Sequence, residues 1–420
     1  MENKPWKWLP ACVFMALALS GCGGGGSDVA GPVQPPPSVE PPAVPQGLGK
    51  LELLTGKVTA DMNDCRNTYG PAAEAEYSRL MRVAVYDDGV YLAESGEGCP
   101  NTGVPGSLLP LDVQQSQIRK LSGGVVSLHI SMNTRPYFSS SFSTPEMVRF
   151  PSGFHRDALT GDFLVLSFAA ASSDRNFLLD EQEMARYSAQ GAWDYFRPGL
   201  FRFTIPSEGW SDASMGVLVA GTHAQPPAYL DGQGNEASFS APHDLETDAS
   251  GLFYLIDQGQ IRTIDADYRV KTLDLAALGI EGRVLALDAD LQGRIHVLTQ
   301  RPGARFSWYR LADGSRVDYQ VGSGAVFEPE ILIPMIFTVV GDDLIVGNRP
   351  AGGGPTDLYR FFADGTWTKL SGDETPATPQ DLLDDPTRYQ FPQVQHLEYG
   401  PDGNLYIVLQ QGVLVARNFK

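Results

Sequence analysis

The sequence predicts an all-β fold assembled from repeated units of four short strands. Three observations carry that expectation. First, residues 217–273 hold five apolar runs, at 217–220, 245–247, 253–256, 261–264 and 270–273, each of strand length. Turn pairs separate them, Asp231-Gly232, Ser250-Gly251 and Gln258-Gly259 among them, which is strand punctuation rather than helix punctuation. Second, the fifth run repeats the character of the first, so the unit recurs. Third, the C-terminal unit supplies only three strands, and an orphan run, Leu51-Glu52-Leu53-Leu54-Thr55-Gly56, stands before the first full unit.

Within 217–273 the order is VLVAG, then DGQG, then ASF, then SAPHD, a strand, GLFYLID and finally QIRTI. That order resembles an NHL repeat, the four-stranded blade of a β-propeller, and the other units resemble it more loosely. A single blade leaves both of its faces uncovered, so neighbours must exist. Blade one is expected at 82–93, 118–121 and 125–128, and blade two at 154–159, 163–168, 200–204 and 216–220. Blade three is the stretch above, from 245 to 273. Blade four falls at 284–289, 294–299, 307–311 and 317–321, and blade five at 336–340, 344–347, 358–362 and 366–370. Blade six has 394–399, 405–409 and 413–417. Its missing outer strand is assigned to 51–56, because closing the ring removes two exposed strand edges. The expectation is a six-bladed β-propeller with small helices in its long loops. Seven blades remain the alternative if the insert in blade two hides a strand pair.

The N-terminus reads as a targeting segment. Lys4 and Lys7 precede an apolar run of ten residues, 11–20, too short to span a bilayer and matching a secretory signal. It ends Leu19-Ser20-Gly21-Cys22, which resembles a bacterial lipobox with Cys22 as the lipidated residue. Gly23 follows where an aspartate would resemble an inner-membrane retention signal, so the expected place is the outer membrane, facing the periplasm or the exterior. Residues 1–21 are thus a lipoprotein signal peptide, 22–48 a Gly/Pro-rich tether and 49–420 the propeller. The tether's prolines favour extended polyproline II at up to ~3.1 Å per residue, enough to hold the domain several nanometres from lipid.

In a blade the strands zigzag outward, so blade-to-blade and second-to-third-strand connections emerge on one face and the two hairpin turns on the other. The turns read short: Asp87-Asp88-Gly89, Ala249-Ser250-Gly251, Asp313-Gly314 and Asp364-Gly365. The other connections read long in nearly every blade, at 56–79, 95–117, 131–151, 169–199, 222–242, 322–334 and 372–392. Rigid strands carrying long loops on one side form a recognition scaffold; loop drift is the bland alternative. Asp180 with Glu183, and Thr378-Pro379 with Asp381, read as helix starts. Trp193, Tyr195 and Phe196 read as a satellite core beneath their loop.

Of four cysteines, Cys12 leaves with the signal and Cys22 takes lipid. Cys65 and Cys99 fall in loops on the same face, and a disulfide between them suits an oxidising compartment. The formal net charge is −19, which repels phosphate backbones and excludes nucleic acid as a natural partner.

No nucleophile elbow, His-Glu-x-x-His or Cys-x-x-Cys is present, and no cofactor motif is visible. Gly232-Gln233-Gly234 lies in the repeat's turn. Asp288-Ala289-Asp290 opens like a calcium loop, but Thr299 stands where the distal glutamate belongs. The resemblance puts one residue of each innermost strand near the axis: Ala84, His155, Glu246, Asp288, Val339 and Glu398. His155, Glu246, Asp288 and Glu398 form a candidate set for a divalent cation in the central channel. Some six-bladed relatives, the gluconolactonases and paraoxonases, hold such a metal. The alternatives are a hydrated polar channel, or carboxylates bonded to backbone groups between blades. His243 and His396 precede or open their innermost strands on the long-loop face, and read as turn residues or, alternatively, as contributors to a pocket rim. The expected function is a non-catalytic binding or scaffold module, its loop-rich face taking a protein, small-molecule or glycan ligand and its lipid holding it to the membrane. A divalent-metal-assisted hydrolase or lyase is the alternative.

Overall fold

Six small antiparallel sheets form, and in each the innermost strand is followed in the chain by its neighbours outward, with an earlier segment added at the outer edge of three of them. A computed structural model of the chain describes residues 47–59, 68–95, 116–132, 151–157, 160–167, 198–204, 216–221, 229–302, 305–320, 336–348 and 354–420. Cys22, Cys65, Cys99, the signal and most of the tether, the Asp180 helix start and the Trp193 cluster lie outside these residues. The innermost strands are Leu80–Tyr86, Pro151–Arg156, Pro242–Thr247, Arg283–Ala289, Ile336–Val340 and Val394–Tyr399. Each packs against the next, and that of blade six packs against that of blade one, so the ring is closed and has six blades.

Closure is achieved by the strand Leu51–Gly56, which pairs antiparallel with Gly412–Ala416, from Leu51↔Ala416 to Gly56↔Gly412. Glu52 accepts a 2.9 Å hydrogen bond from Arg417 across this seam. Gly56 sits at φ +78°, and a Cβ there would lie 2.2 Å from the Gln411 carbonyl oxygen, so the strand must end on glycine. The apolar cores lie between blades: Leu285 and Leu298 of blade four pack with Val339, Leu344 and Val346 of blade five. A sheet with both faces buried reads as a near-continuous apolar run, which is what Phe163–Ser167 and Leu405–Leu409 show, every residue buried.

Two segments read as plain loops from the sequence form a matched structural pair. Gly70–Pro71 adds a fifth strand outside blade one, and Gly232–Gln233 does so outside blade three. A bridge closes each hairpin, Thr68↔Glu76 and Leu230↔Ser238. Each hairpin is clamped by a fully buried arginine of the third strand. Arg119 donates to the Thr68 and Glu76 carbonyls at 2.8 and 2.9 Å and pairs with Glu94 at 2.6 Å. Arg262 donates to the Ser238 and Leu230 carbonyls and pairs with Asp257 at 3.2 Å. Aromatic rings cover both guanidinium groups, Tyr69 and Tyr77 over the first, Tyr229 and Phe239 over the second. YGPAAEAEYS and DGQGNEASFS are therefore the same unit. The substitution of Tyr69-Gly70-Pro71 for Asp-Gly-Gln hid the first copy.

Strand ends correct the loop reading in part. All six blade-to-blade connections leave one face, at 57–79, 132–150, 221–241, 273–282, 321–335 and 370–393, and the connections 95–116 and 168–198 join them. The second-to-third-strand connections of blades three, four and six are short, however, at 258–259, 302–304 and 410–411. On the opposite face the turns are short except for 204–216 in blade two. The first hairpin of four blades carries a repeated anchor. The aspartates Asp88, Asp248 and Asp402 accept from Tyr91, Tyr254 and Tyr406, and Asp290 bonds His296 in the same way. One helix start is realised: α1 spans Pro379–Asp384, with Thr378 and Asp381 forming a capping box.

Candidate functional site in the central channel

The innermost strands run with alternating side chains, so residues two apart share a face. Glu246 and Glu398 face the channel, as does Ala84 of blade one. Two positions earlier on the same strands stand Asp244, His396 and Arg82. A register shift follows the first residues of five of the six innermost strands, between Leu80 and Arg82, His243 and Glu246, and Val394 and His396 among them. In blade three the shift holds Asp244 at φ 54°, a left-handed conformation that aspartate tolerates better than most residues. Such a turn inside a strand aims the carboxylate across the channel.

Arg82 is what it meets. The Arg82 guanidinium, 14% exposed, pairs with Asp244, lies 3.7 Å from Glu246 through Nη1 and 3.5 Å from His396 Nε2. It joins blade one to blades three and six across the axis. Burial lowers its pKa, and the carboxylates of Glu246, Glu398 and Asp288 oppose that shift. His243 and His396 are strand residues of this cluster and not turn residues. His243 Nδ1 lies 3.2 Å from Asp244, and His396 Nδ1 takes a 3.4 Å contact from the Val83 amide. Burial and then the Arg82 charge depress both imidazoles, His243 to about 3 and His396 well below its ordinary range, so both are neutral.

The three predicted carboxylates do converge electrostatically. Burial, then repulsion by Asp288 and Glu398, raises Glu246 well above the usual carboxylate range against the pull of Arg82. Glu398 is raised by burial and then by Asp288. Asp288 is pushed up to about 7 by burial, although it accepts a 2.8 Å hydrogen bond from the Val339 amide. That bond links blade four to blade five, so Asp288 takes the between-blade arrangement weighed for these carboxylates. His155 does not join them. Its Nδ1 lies 3.3 Å from Thr247 Oγ1, its ring meets Phe253 edge-on, and burial lowers its pKa. Ala84 lines the cavity, whereas Val339 is buried and contributes its amide. Among the described residues no three His, Cys, Asp or Glu side chains form a metal-holding group.

What remains is an axial cavity of about 170 Å³. Tyr86, His155, Thr247 and Ala289, each last or next to last in its strand, line it together with Arg82, Phe154, Glu246, His396 and Glu398. Sequence reasoning placed His396 at the rim of the pocket, where it lies, and missed Arg82 and Asp244. Period-two alternation from Ala84 points to Arg82, whereas the register shift between His243 and Glu246 hides Asp244.

No family model matches the chain, and no curated protein matches it. Solved structures that resemble it include a protein of unknown function from Bacteroides thetaiotaomicron, at 10% identity over 87% of this chain and 75% of that one, TM-score 0.48. Virginiamycin B lyase from Staphylococcus aureus, crystallised as a catalytically inactive variant with quinupristin, is 10% identical over 87% of this chain and 99% of that one, TM-score 0.41. A luciferin-regenerating enzyme is 10% identical over 83% and 95%, TM-score 0.42. The propeller assignment rests on the chain's own six sheets.

Proposed function

We propose that the chain is a lipid-anchored, NHL-type propeller acting as a non-catalytic binding module through its loop-rich face. One observation carries the reading: every blade-to-blade connection leaves the same face of a closed ring, which gives variable loops a rigid common base. The ligand is a protein, glycan or small molecule of the envelope, reached from a membrane held through acylated Cys22, with a Cys65–Cys99 disulfide bracing the same face. A hydrolase or lyase built on a channel metal draws on the same carboxylates. Arg82 already stands among them as a counter-ion, which favours the binding reading.

The test is crosslinking capture in intact cells. A chain with 168–198 replaced by a short Gly-Ser link is expected to lose captured partner while melting as the parent does, and Cys22→Ser is expected to release the chain from membranes. Capture that survives the loop replacement removes that loop from the binding surface. A membrane-bound Cys22→Ser chain ends the anchor reading.

A further inference from the structure

Five blades take their four main strands from consecutive stretches of chain, and blade six takes its outer strand from the other end. Only hydrogen bonds and packing hold Leu51–Gly56 to Gly412–Ala416. By contrast, the outer strand of blade two, Val217–Ala220, is joined through 204–216 to its own third strand, Gly199–Phe203. The two arginine-clamped hairpins lie against these two outer strands. In blade three the Gly234 carbonyl accepts a 3.1 Å bond from the Gly221 amide, directly after the outer strand of blade two. In blade one the hairpin meets the closing strand through buried side chains. Thr55 donates to the Ala72 carbonyl at 2.9 Å and meets the Tyr77 hydroxyl at 2.8 Å, and Lys57 pairs with Glu76. Leu54 and Ala72 pack with Tyr77, Val413 and Val415. Both ends of the connection that carries this hairpin also return to one turn of blade six. The Lys57 amide donates to the Gln411 carbonyl and the Leu80 amide to the Gln410 carbonyl, each at 2.8 Å.

We propose that the hairpin at 68–78 is a strap that locks the ring at its non-covalent joint, with Arg119 as the positioning residue that holds the strap down. Arg119 acts on the joint through the hairpin alone. Its guanidinium bonds the Thr68 and Glu76 carbonyls at the two ends of the hairpin, and the Tyr77 ring lies over it. The Ala72 carbonyl and the Tyr77 hydroxyl that Thr55 uses are thereby held in place. A lifted strap leaves the buried Thr55 hydroxyl without partners, and the closing strand then peels from Gly412–Ala416. Arg262 clamps its hairpin in the same way, but the strand beside it is already retained by its own turn. The two clamps are built alike and differ in what depends on them.

Hydrogen exchange of the full chain under native conditions, resolved by peptide, tests this with a matched pair of variants. Arg119→Met and Arg262→Met strip the ion pair from Glu94 and Asp257, both fully buried, so general loss of stability is common to the two. Arg119→Met is expected to speed exchange across 51–56 and 412–416 about tenfold more than Arg262→Met does, while Arg262→Met acts most on 230–239. A fluorescent peptide of residues 47–57 is likewise expected to enter the Arg119→Met chain about tenfold faster than the parent or the Arg262→Met chain. Thr55→Val keeps the strand's bulk and the clamp but removes the hydroxyl, and is expected to speed exchange across 51–56 relative to the parent. Should Arg119→Met fail to fold, Thr55→Val and Tyr77→Phe against the parent decide the question. Equal acceleration of the joint by both arginine variants overturns the proposal. So does acceleration that stays within 68–78, or a joint in Thr55→Val that exchanges and admits peptide at the parent's rate.

Discussion

Replacing Arg82 with methionine is expected to destabilise the chain by about 3–5 kcal/mol at pH 8, read as a lower urea midpoint. The chemistry is one-sided. Methionine matches much of the arginine's bulk, so the packing loss is small, but Asp244 and Glu246 lose their counter-ion inside the channel. The deficit should shrink on acidification. Glu246 and Glu398 have folded values above their ordinary ones, and Asp288 titrates near 7, so the folded chain holds protons that the unfolded chain releases. Their contribution is fully present below the ordinary carboxylate range and is lost as pH rises through the raised values. His243 and His396, held neutral in the fold, oppose this as pH falls through the ordinary imidazole range, so the parent's own slope is a balance of the two sets. The quantity expected to shrink from pH 8.5 to pH 5.5 is the difference between parent and Arg82→Met. At the acid end a different group takes over. Asp318, held at about 2 chiefly by its hydrogen bond from Arg316, gives stability that is lost as pH falls towards that value. A deficit that grows between pH 8.5 and 5.5 would sink the account of Arg82 as the channel's counter-ion.

The parts of this molecule that were legible in the sequence are those fixed by periodicity and turn chemistry. Apolar runs of four to seven residues between Asp-Gly turns define a blade locally, and six of them define the ring. The strand Leu51–Gly56 was placed by a bookkeeping argument about an incomplete last unit, and its pairing with Gly412–Ala416 agrees. The hairpin clamped by Arg119 was not legible, because its turn uses Tyr69-Gly70-Pro71 in place of the Asp-Gly of its counterpart. What identifies it is a buried arginine further along the chain, Ile118-Arg119 matching Ile261-Arg262. The channel was half legible. Glu246, Asp288 and Glu398 were found by aligning innermost strands, but whether a carboxylate meets a metal, an amide or an arginine depends on residues of other blades. Asp288 meets the amide of Val339 from blade five, and Glu246 meets Arg82 from blade one. His155 occupies the aligned position and still turns towards Thr247, since its own neighbour offers a hydroxyl and an aromatic edge. Strand periodicity gives the face of each residue and no more. Cross-channel partners are set by the ring.

A chain beginning at Gly47 is expected to unfold cooperatively, and one beginning at Lys57 to lose its cooperative transition and to elute as aggregate. The ten residues between them contain the whole closing strand. Leu51 is 1% exposed and Thr55 is fully buried, where its hydroxyl meets Tyr77 at 2.8 Å and the Ala72 carbonyl at 2.9 Å. Burying a leucine contributes roughly 1.5–3 kcal/mol, and the two hydroxyl contacts contribute about 1 kcal/mol each. The larger cost is on the partner strand. Val413, Leu414, Val415 and Ala416 are fully buried, and removal of Leu51–Gly56 turns their strand into an open, apolar sheet edge that templates association. The combined loss is of the same order as the ~5–15 kcal/mol by which a domain is stable at all. A synthetic peptide spanning 47–57, added to the shortened chain, is expected to restore part of the transition, because the register Leu51↔Ala416 to Gly56↔Gly412 needs no covalent link to form. Glu52→Lys within that peptide opposes Arg417 and is expected to weaken the rescue without abolishing it, since the pair is exposed. Cooperative melting of the shortened chain by itself would mean that blade six holds without its N-terminal strand, and with that the ring would have a seam that the N-terminus decorates but does not close.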